Sequence, residues 1–252
     1  MLNIAIAIPT YNEAKNIGRL LESIHAVSQN NAEAFFSIYV LDDASPDGTA
    51  EVVTAASKKL NGDNFKIELV RRREKEGLGK AYIDGFLHIM AQSNPPDYIL
   101  QMDADLSHNP EYLAQFITEA VKGADFIVGA RYIKGGGTPD WSLFRKFLSR
   151  GANFYTRLML GSRISDYTGG YNMYNVRLLR RIDVSEISNL GYGFLVELKY
   201  KCMRSCEKLA EVPIVFMDRT HGVSKIPKST IIKSFILVLK LKFGSKPADS
   251  AN

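Results

Sequence analysis

Short apolar segments alternate with amphipathic segments through the first 130 residues of the chain. The short segments have the length of buried strands, and the longer ones repeat apolar residues with the period of a helix. The predicted strands are residues 3–8, 36–41, 66–70, 98–102 and 125–129, and the predicted helices are residues 13–27, 48–60, 78–91 and 110–122. This alternation predicts an α/β fold with a central, mostly parallel sheet and helices on its faces.

Polar, mainly acidic residues follow three of the predicted strands, at residues 9–13, 42–48 and 103–105. In open parallel sheets, ligands bind beyond the carboxyl ends of the strands. The three loops are therefore expected to form a binding or catalytic site at one edge of the sheet.

Beyond residue 130 the alternation breaks, and two amphipathic segments combine apolar side chains with lysine and arginine, at residues 142–160 and 228–243. Each predicts a helix that either lies in a membrane interface or packs on the sheet. The choice stays open for residues 142–160, whereas residues 228–243 favour the interface because apolar residues occupy most of the helix circumference. These patterns predict a catalytic domain over residues 1–227 and a C-terminal, amphipathic, membrane-associating helix and tail over residues 228–252.

The net charge of +5 is unevenly distributed along the chain. Residues 1–130 carry 11 Lys and Arg against 18 Asp and Glu, a balance of −7, and residues 131–252 carry 21 against 9, a balance of +12. The basic half predicts an anionic partner such as a phosphate group or a membrane surface. Nucleic acid is not expected, because the cations are not interleaved with aromatic residues and no RNA-binding motif is present.

Several features restrict the compartment and the chemistry. Cys202 and Cys206 are the two cysteines, which indicates a reducing compartment, and their spacing on a predicted helix is typical of packing residues rather than of a metal site. The N-terminus has no signal-peptide pattern, and no window reaches the ~18 apolar residues of a spanning helix. The four histidines form no metal motif, and no Gly-x-Gly-x-x-Gly follows the first strand, which disfavours a hydrolase triad and a dinucleotide site.

The clearest chemical signal is the Asp-Ala-Asp at residues 103–105. Two carboxylates this close at a strand end favour a hard divalent cation that also binds substrate phosphates. Such a cation would neutralise the charge on a departing nucleoside diphosphate. Asp42 and Asp43 are either further metal ligands or acceptors for a nucleobase or ribose, and of these Asp43 is treated as functional. Asp47 is expected to cap the next helix.

Cations in the basic half fit a phosphate-binding role, because arginine binds two phosphate oxygens at once through its planar fork. The candidates are Arg131, Arg145, Arg219 and Lys225. Residues 219–225 place two cations, a hydroxyl and a glycine in one short polar loop, a pattern shared by phosphate-binding loops and ordinary surface loops.

A series of motifs resembles the family 2 glycosyltransferases. The motifs are Ile-Pro-Thr-Tyr-Asn-Glu at residues 8–13, Leu-Asp-Asp-Ala-Ser-Pro-Asp-Gly-Thr at 41–49, Gly-Leu-Gly-Lys-Ala at 77–81, Met-Asp-Ala-Asp-Leu-Ser-His-Asn-Pro at 102–110 and Gly-Ala-Arg-Tyr at 129–132. Three further motifs are similar to those of the dolichyl- and polyprenyl-phosphate mannose synthases and lie at residues 138–145, 166–171 and 212–225. The resemblance extends over residues 3–242.

The resemblance implies a GT-A fold and an inverting transfer of mannose from GDP-mannose to a polyprenyl or dolichyl phosphate, with Mg²⁺ or Mn²⁺ as cofactor. The alternative is a UDP-sugar donor such as UDP-glucose with the same acceptor, because the motifs separate the two donors poorly. Peripheral binding at the cytoplasmic face of a membrane is expected, either directly or through a small membrane-anchoring protein. The intact acidic and arginine positions disfavour a catalytically silent scaffold of the same fold.

The resemblance also implies a role for each matching position. The residues that would hold the nucleoside are Pro9, Tyr11, Glu13, Leu41 and Asp43. Those that would hold the diphosphate and the metal are Asp103, Ala104 and Asp105, with Ser107 as a further metal ligand. Those that would hold the donor and acceptor phosphates are Arg131, Arg145, Arg219 and Lys225, with Ser149 nearby. Catalysis is assigned to Asp105, Arg131, Arg145 and Arg219.

The chain departs from the family pattern at two positions. Ser107 stands where some members have glutamine as a metal ligand, so its hydroxyl or a water would have to substitute. Asn172 stands where an arginine commonly follows the aromatic residue, and we leave it out of the expected site.

Overall fold

The computed structural model of the chain describes residues 1–31, 33–189, 191, 193–218 and 228–244. Its centre is a seven-stranded sheet with the order β3-β2-β1-β4-β6-β5-β7. The strands are β1 (Leu2–Thr10), β2 (Ala34–Asp42), β3 (Phe65–Arg71), β4 (Tyr98–Gln101), β5 (Phe126–Ala130), β6 (Asn172–Asn175) and β7 (Leu209–Pro213). All neighbouring pairs are parallel except those that β6 makes with β4 and β5.

Helices cover both faces of the sheet, because the strands are apolar on both sides. Ile6 and Ala7 of β1 belong to two different hydrophobic clusters, and both side chains are fully buried. This double burial is typical of a mostly parallel sheet. The helices are α1 (Ile17–Gln29), α2 (Thr49–Leu60), α3 (Leu78–Met90), α4 (Leu113–Val121), α5 (Leu143–Leu160), α6 (Val176–Arg181), α7 (Phe194–Ser205) and α8 (Lys228–Gly244).

The predicted α/β class and the five predicted strands are confirmed, with small shifts at their ends. Helix α1 begins at Ile17 instead of residue 13, because the Glu13 backbone N–H donates to the Thr49 hydroxyl and the chain turns before the helix begins. A short 3₁₀ turn, Pro110–Tyr112, precedes α4. The second half of the sheet, with β6, α6, α7 and β7, is more regular than the sequence pattern indicated.

Helices α5 and α8 pack against each other and still expose apolar surface. The Tyr155 and Phe235 rings lie 4.4 Å apart between them, and Leu237 and Val238 of α8 are buried. The apolar face of α5 consists of the exposed residues Leu143, Phe144, Phe147, Leu148, Phe154 and Leu158. Over residues 234–244 of α8, where side chains are described, the exposed large apolar residues are Phe235, Ile236, Leu239 and Phe243. Each helix therefore packs on the protein with one side and leaves an apolar surface on the other.

Within the part of the chain that the structure describes, no helix has the length and apolar character needed to cross a membrane. The division between a catalytic domain over residues 1–227 and a C-terminal segment over residues 228–252 stays a prediction. Cys202 and Cys206 are both buried and unbonded to each other, which confirms them as packing residues.

Candidate active site

The loops after β1, β2 and β4 meet at one edge of the sheet, because these three strands are parallel neighbours. Each loop contains a non-glycine residue in the left-handed region: Asn12, Ala44 and Leu106 have φ of 62°, 54° and 65°. Such conformations are unfavourable for residues with a Cβ and concentrate at functional sites. These three strained residues therefore lie at the same edge of the sheet as the acidic residues that follow the strands.

Asp103 is held from two sides and stays partly exposed. The Tyr82 hydroxyl lies 3.0 Å from Asp103 Oδ1, and the Asp103 backbone N–H donates to His108 Nδ1 at 3.0 Å. Because Nδ1 accepts, the neutral imidazole carries its proton on Nε2, which lies 4.0 Å from Asp103 Oδ2. Burial lowers the pKa of His108, which favours that neutral form. His108 stacks on Tyr171 with ring centroids 4.8 Å apart.

Asp105 is buried and receives two hydrogen bonds from one residue. The Ser107 backbone N–H and hydroxyl both donate to Asp105 Oδ1, at 3.1 and 2.5 Å. The left-handed turn at Leu106 brings Ser107 back towards the carboxylate. Ser107 therefore positions Asp105, and its assignment as a metal ligand stays a prediction.

Asp103 and Asp105 fit a divalent cation through the chemistry of their donor set. Hard cations such as Mg²⁺ are commonly bound by one or two carboxylates, with substrate phosphates and waters as the other ligands. Among the described residues, no cluster of three or more acidic, histidine or cysteine side chains forms a self-sufficient metal cage. A two-carboxylate site is thus one that a diphosphate would complete.

Asp42 and Asp43 are adjacent in sequence and have different partners. Asp42 accepts from the Thr10 hydroxyl at 2.9 Å and from the Ser45 hydroxyl and backbone N–H at 2.6 and 3.0 Å. These bonds tie together the loops after β1 and β2, so Asp42 has a structural role. Asp43 instead forms an ion pair with Arg72, and burial raises the pKa of Asp43 although Arg72 opposes the shift.

Arg72 forms ion pairs with three carboxylates at the end of the site where the nucleoside is expected to bind. Besides Asp43, it contacts Glu76 and Asp84, each at 3.0 Å. Lys75 lies on the same loop, and its Nζ is 3.7 Å from the ring centroid of the partly exposed Tyr11. Tyr11 and Asp43 thus lie beside a basic loop that the sequence motifs had not singled out.

The other nucleoside candidates, and Ala104 as a candidate for the diphosphate and metal, lie at the same edge with different accessibility. Pro9 and Glu13 are half-buried, and Glu13 accepts from Asn16 Nδ2 at 2.7 Å. The side chains of Leu41 and Ala104 are buried. Any contact of Leu41 or Ala104 with a nucleotide would therefore run through the backbone.

Arg131 is fixed by a buried carboxylate. Its Nε and Nη2 donate to the two oxygens of Asp166 at 2.7 and 2.8 Å, and Nη2 also donates to the Thr168 hydroxyl at 2.8 Å. Burial alone would raise the pKa of Asp166, but the Arg131 guanidinium holds that pKa well below its usual range. This bidentate pair fixes the orientation of the guanidinium at the end of β5.

Lys199 also stabilises the position of Asp166, the partner of Arg131. Its side chain is fully buried in α7, and Nζ donates to the Asp166 carbonyl at 2.7 Å. Burial lowers the pKa of Lys199 from 10.5 to about 8.

We expect the stability of the wild type to rise between neutral pH and about pH 10 relative to a Lys199→Met variant. The unfolded chain holds the lysine proton up to pH 10.5 and the folded chain only to about 8, so the unfolded state binds more protons in that window. The relative gain should be about 2 kcal/mol by urea unfolding. Lys58→Met, at an exposed position, should leave the pH slope unchanged. Identical slopes for the wild type and Lys199→Met would contradict the lowered pKa.

The phosphate candidates on α5 lie beside an aromatic cluster. The Arg145 guanidinium is 3.9 Å from the Trp141 ring centroid, and its Nη1 lies 3.2 Å from Asp218 Oδ1. The Ser149 hydroxyl accepts from Tyr132 at 2.6 Å. Arg219 and Lys225 fall outside the described residues.

Several supporting residues were not assigned a role from the sequence. His108 and Asp166 lie within recognised motifs and could have been found from their positions in them. The others lie in helices or loops whose sequences carry no chemical signal: Arg72, Tyr82 and Lys199.

A family model described as glycosyl transferase family 2 matches residues 5–183. The chain belongs to this family. The polyprenol monophosphomannose synthase of Mycolicibacterium smegmatis is 36% identical over 233 residues, 92% of this chain and 84% of that protein. The undecaprenyl-phosphate mannosyltransferase of Micrococcus luteus is 35% identical over 243 residues, 95% of this chain and 93% of that protein. The chain is therefore a glycosyltransferase.

Solved structures place the fold among the GT-A glycosyltransferases, as predicted. The glucosyl-3-phosphoglycerate synthase of Mycobacterium tuberculosis, solved with Mn²⁺ and UDP-glucose, has a TM-score of 0.66 at 17% identity and covers 98% of this chain and 82% of its own. A mannosyltransferase from Pyrobaculum calidifontis, solved with GDP-mannose and Mn²⁺, has a TM-score of 0.56 at 16% identity over 87% of this chain and 57% of its own. At these identities the similarity concerns the fold alone.

Proposed function

We propose that this glycosyltransferase transfers mannose from GDP-mannose to a polyprenyl phosphate at a membrane surface, with inversion at the sugar. The observation that carries the proposal is the similarity at 35% and 36% identity, over most of the chain, to two proteins named for this type of transfer. The site supports it with two acidic residues, Asp103 and Asp105, for a metal and diphosphate and with Arg131 and Arg145 for phosphates.

On the donor side, Asp103 and Asp105 would hold Mg²⁺ or Mn²⁺ together with the diphosphate. The cation would neutralise the charge that develops on the departing GDP. Tyr82 and Ser107 orient the two carboxylates by the hydrogen bonds described above. Tyr11 and Asp43 would contact the nucleoside, with the Pro9, Leu41 and Ala104 backbones nearby.

On the acceptor side, the phosphate needs positioning and no general base. A phosphomonoester has a second pKa of about 6, so it is already anionic at neutral pH. One of its oxygens attacks C1 of mannose, the bond from C1 to the diphosphate oxygen breaks, and GDP leaves with the bonding electrons. Arg131 and Arg145 would place the phosphate in line with that bond. Arg219, Lys225 and Ser149 are proposed to assist.

The acceptor lipid explains the exposed apolar side chains of α5 and α8. Large contiguous apolar surfaces on a soluble protein mark contacts with membranes or partners. Arg145, at the start of α5, is a proposed phosphate-binding residue and lies on the helix that carries this surface. Peripheral binding at the cytoplasmic face, directly or through a small anchoring protein, would bring the polyprenyl chain to the site.

The deciding experiment measures transfer of radiolabelled mannose from GDP-mannose to a short polyprenyl phosphate in detergent, with Mg²⁺, with Mn²⁺ and with chelator. We expect label in the organic phase only when a divalent cation is present. A parallel reaction with UDP-glucose tests the alternative donor, and titrations with GDP and UDP compare nucleotide binding. Efficient transfer from UDP-glucose and none from GDP-mannose would overturn the proposed donor, and no transfer from either would overturn the proposed reaction.

A further inference from the structure

A second group of arginines lines a cavity beside α5. The cavity has a volume of about 310 Å³, and Arg150, Arg157 and Arg131 all contribute to its wall. Ligand pockets begin at about this size, roughly 300 Å³. None of the motifs above includes Arg150 or Arg157, and the proposed transfer does not use them.

Arg150 and Arg157 differ from the other arginines of the region in their pairing. Arg131 is paired with Asp166 and Arg145 with Asp218. The side chains of Arg150 and Arg157 form no salt bridge or hydrogen bond with any described residue. The Nε of Arg157 is buried without an acceptor in the described part of the protein, so this guanidinium has an unused donor.

The two arginines lie directly beside the apolar face of α5. They are seven residues apart, two helical turns, and so lie on one side of the helix. Phe154 follows Arg150 by four positions and precedes Arg157 by three, so it is adjacent to both. Phe154 also lines the cavity and is 69% exposed. Two cationic side chains thus border the exposed apolar face of α5.

Apart from Ile133, the remaining wall is formed by polar side chains and a glycine. Gly136 approaches β5 so closely that a Cβ there would lie 2.6 Å from the Ala130 carbonyl oxygen. Asn153 and Ser165 complete it, and the Ser165 hydroxyl donates to Glu211 at 2.7 Å. Tyr132 also lines the cavity, and its hydroxyl donates a hydrogen bond to Ser149, which is proposed to assist in binding the acceptor phosphate. The cavity therefore adjoins the proposed transfer site and shares Arg131 with it, while Arg150 and Arg157 belong to the cavity alone.

We propose that this cavity binds the phosphate headgroup of an anionic membrane lipid, whose acyl chains lie along the apolar face of α5. The guanidinium groups of Arg150 and Arg157 suit phosphate oxygens, and the adjoining aromatic and aliphatic side chains of α5 suit the acyl chains of the same lipid. Such a lipid would fix the orientation of α5 on the membrane surface.

The test is flotation of the full chain with vesicles of phosphatidylcholine, with and without phosphatidylglycerol. We expect phosphatidylglycerol to increase the vesicle affinity of the wild type, and Arg150→Gln with Arg157→Gln to reduce that increase about tenfold. Binding to phosphatidylcholine alone should persist, because the apolar face is unchanged. No sugar transfer is needed for the readout, so its outcome is independent of the proposed donor and acceptor.

Three comparisons distinguish binding in this cavity from non-specific electrostatic attraction of the protein to anionic vesicles. Lys240→Gln with Lys242→Gln removes the same charge from exposed positions of α8, and an equal loss there would overturn the proposal. Arg150→Lys with Arg157→Lys keeps the charge, and full binding by this variant would also overturn it, because a fork-specific site should recover only in part. Displacement by inorganic phosphate at the same anion concentration would assign the cavity to free phosphate instead. Unchanged melting temperatures confirm that the variants fold.

Discussion

Asp105→Asn is expected to lower the turnover number for metal-dependent mannose transfer by about 10³-fold. The substitution keeps the shape of the side chain and removes the charge that would hold the cation and, through it, the diphosphate. Initial rates over a series of Mg²⁺ and Mn²⁺ concentrations measure the effect, and added metal should not restore the rate. Wild-type activity in this variant would contradict the assignment of Asp105.

Ser107→Ala is expected to lower the turnover number less than Asp105→Asn, because it weakens the support of the Asp105 carboxylate without removing its charge. It removes the hydroxyl hydrogen bond to Asp105 Oδ1 and leaves the backbone one in place. We expect a loss of about tenfold, in line with one hydrogen bond to a charged group. A loss as large as that of Asp105→Asn would instead indicate that Ser107 ligates the metal directly.

Asp166→Asn is expected to lower the free energy of unfolding by about 3–5 kcal/mol, because it leaves the Arg131 guanidinium buried without its counter-charge. Urea unfolding at neutral pH measures this loss. The matched control is Asp218→Asn, which breaks the largely exposed pair with Arg145 and should change stability by less than about 1 kcal/mol. Similar losses for the two variants would contradict a buried Arg131–Asp166 pair.

The same pair has a defined pH dependence. Because the pKa of Asp166 is held below its ordinary value of 3.8, the stabilisation is complete at neutral pH and is lost as the pH falls below that value. The stability difference between the wild type and Asp166→Asn should therefore shrink in acid.

The first half of the fold could be predicted because its strands and helices obey simple periodicities. The second half could not, since its elements are short or carry buried charges. Strand β6 has four residues, and two of them are asparagines. Helix α7 buries Glu197 and Lys199, and Glu197 accepts three hydrogen bonds from Ser188 and Asn189. Charges satisfied inside the protein disrupt the amphipathic pattern that would otherwise reveal the helix.

The acidic part of the site was predictable because its residues are close in sequence. The residues that hold it in place were not predictable because they are distant in sequence. Asp103 and Asp105 are separated by one residue and directly follow strand β4, so their proximity needs no tertiary information. Tyr82 lies 21 positions from Asp103, and Asp166 lies 35 positions from Arg131. Such partners are brought together only by the packing of whole elements, which no local pattern reports.

The order of the strands in the sheet leaves β5 without its partners during synthesis of the chain. Both neighbours of β5 follow it in sequence, and β7, its parallel partner, ends at Pro213. At roughly 5–20 residues per second, a ribosome needs several seconds after β5 to complete β7. Both hydrogen-bonding edges of this entirely apolar strand are unpaired in the nascent chain until β6 has been made, and one edge stays unpaired until β7 follows, which leaves this stretch open to aggregation during synthesis.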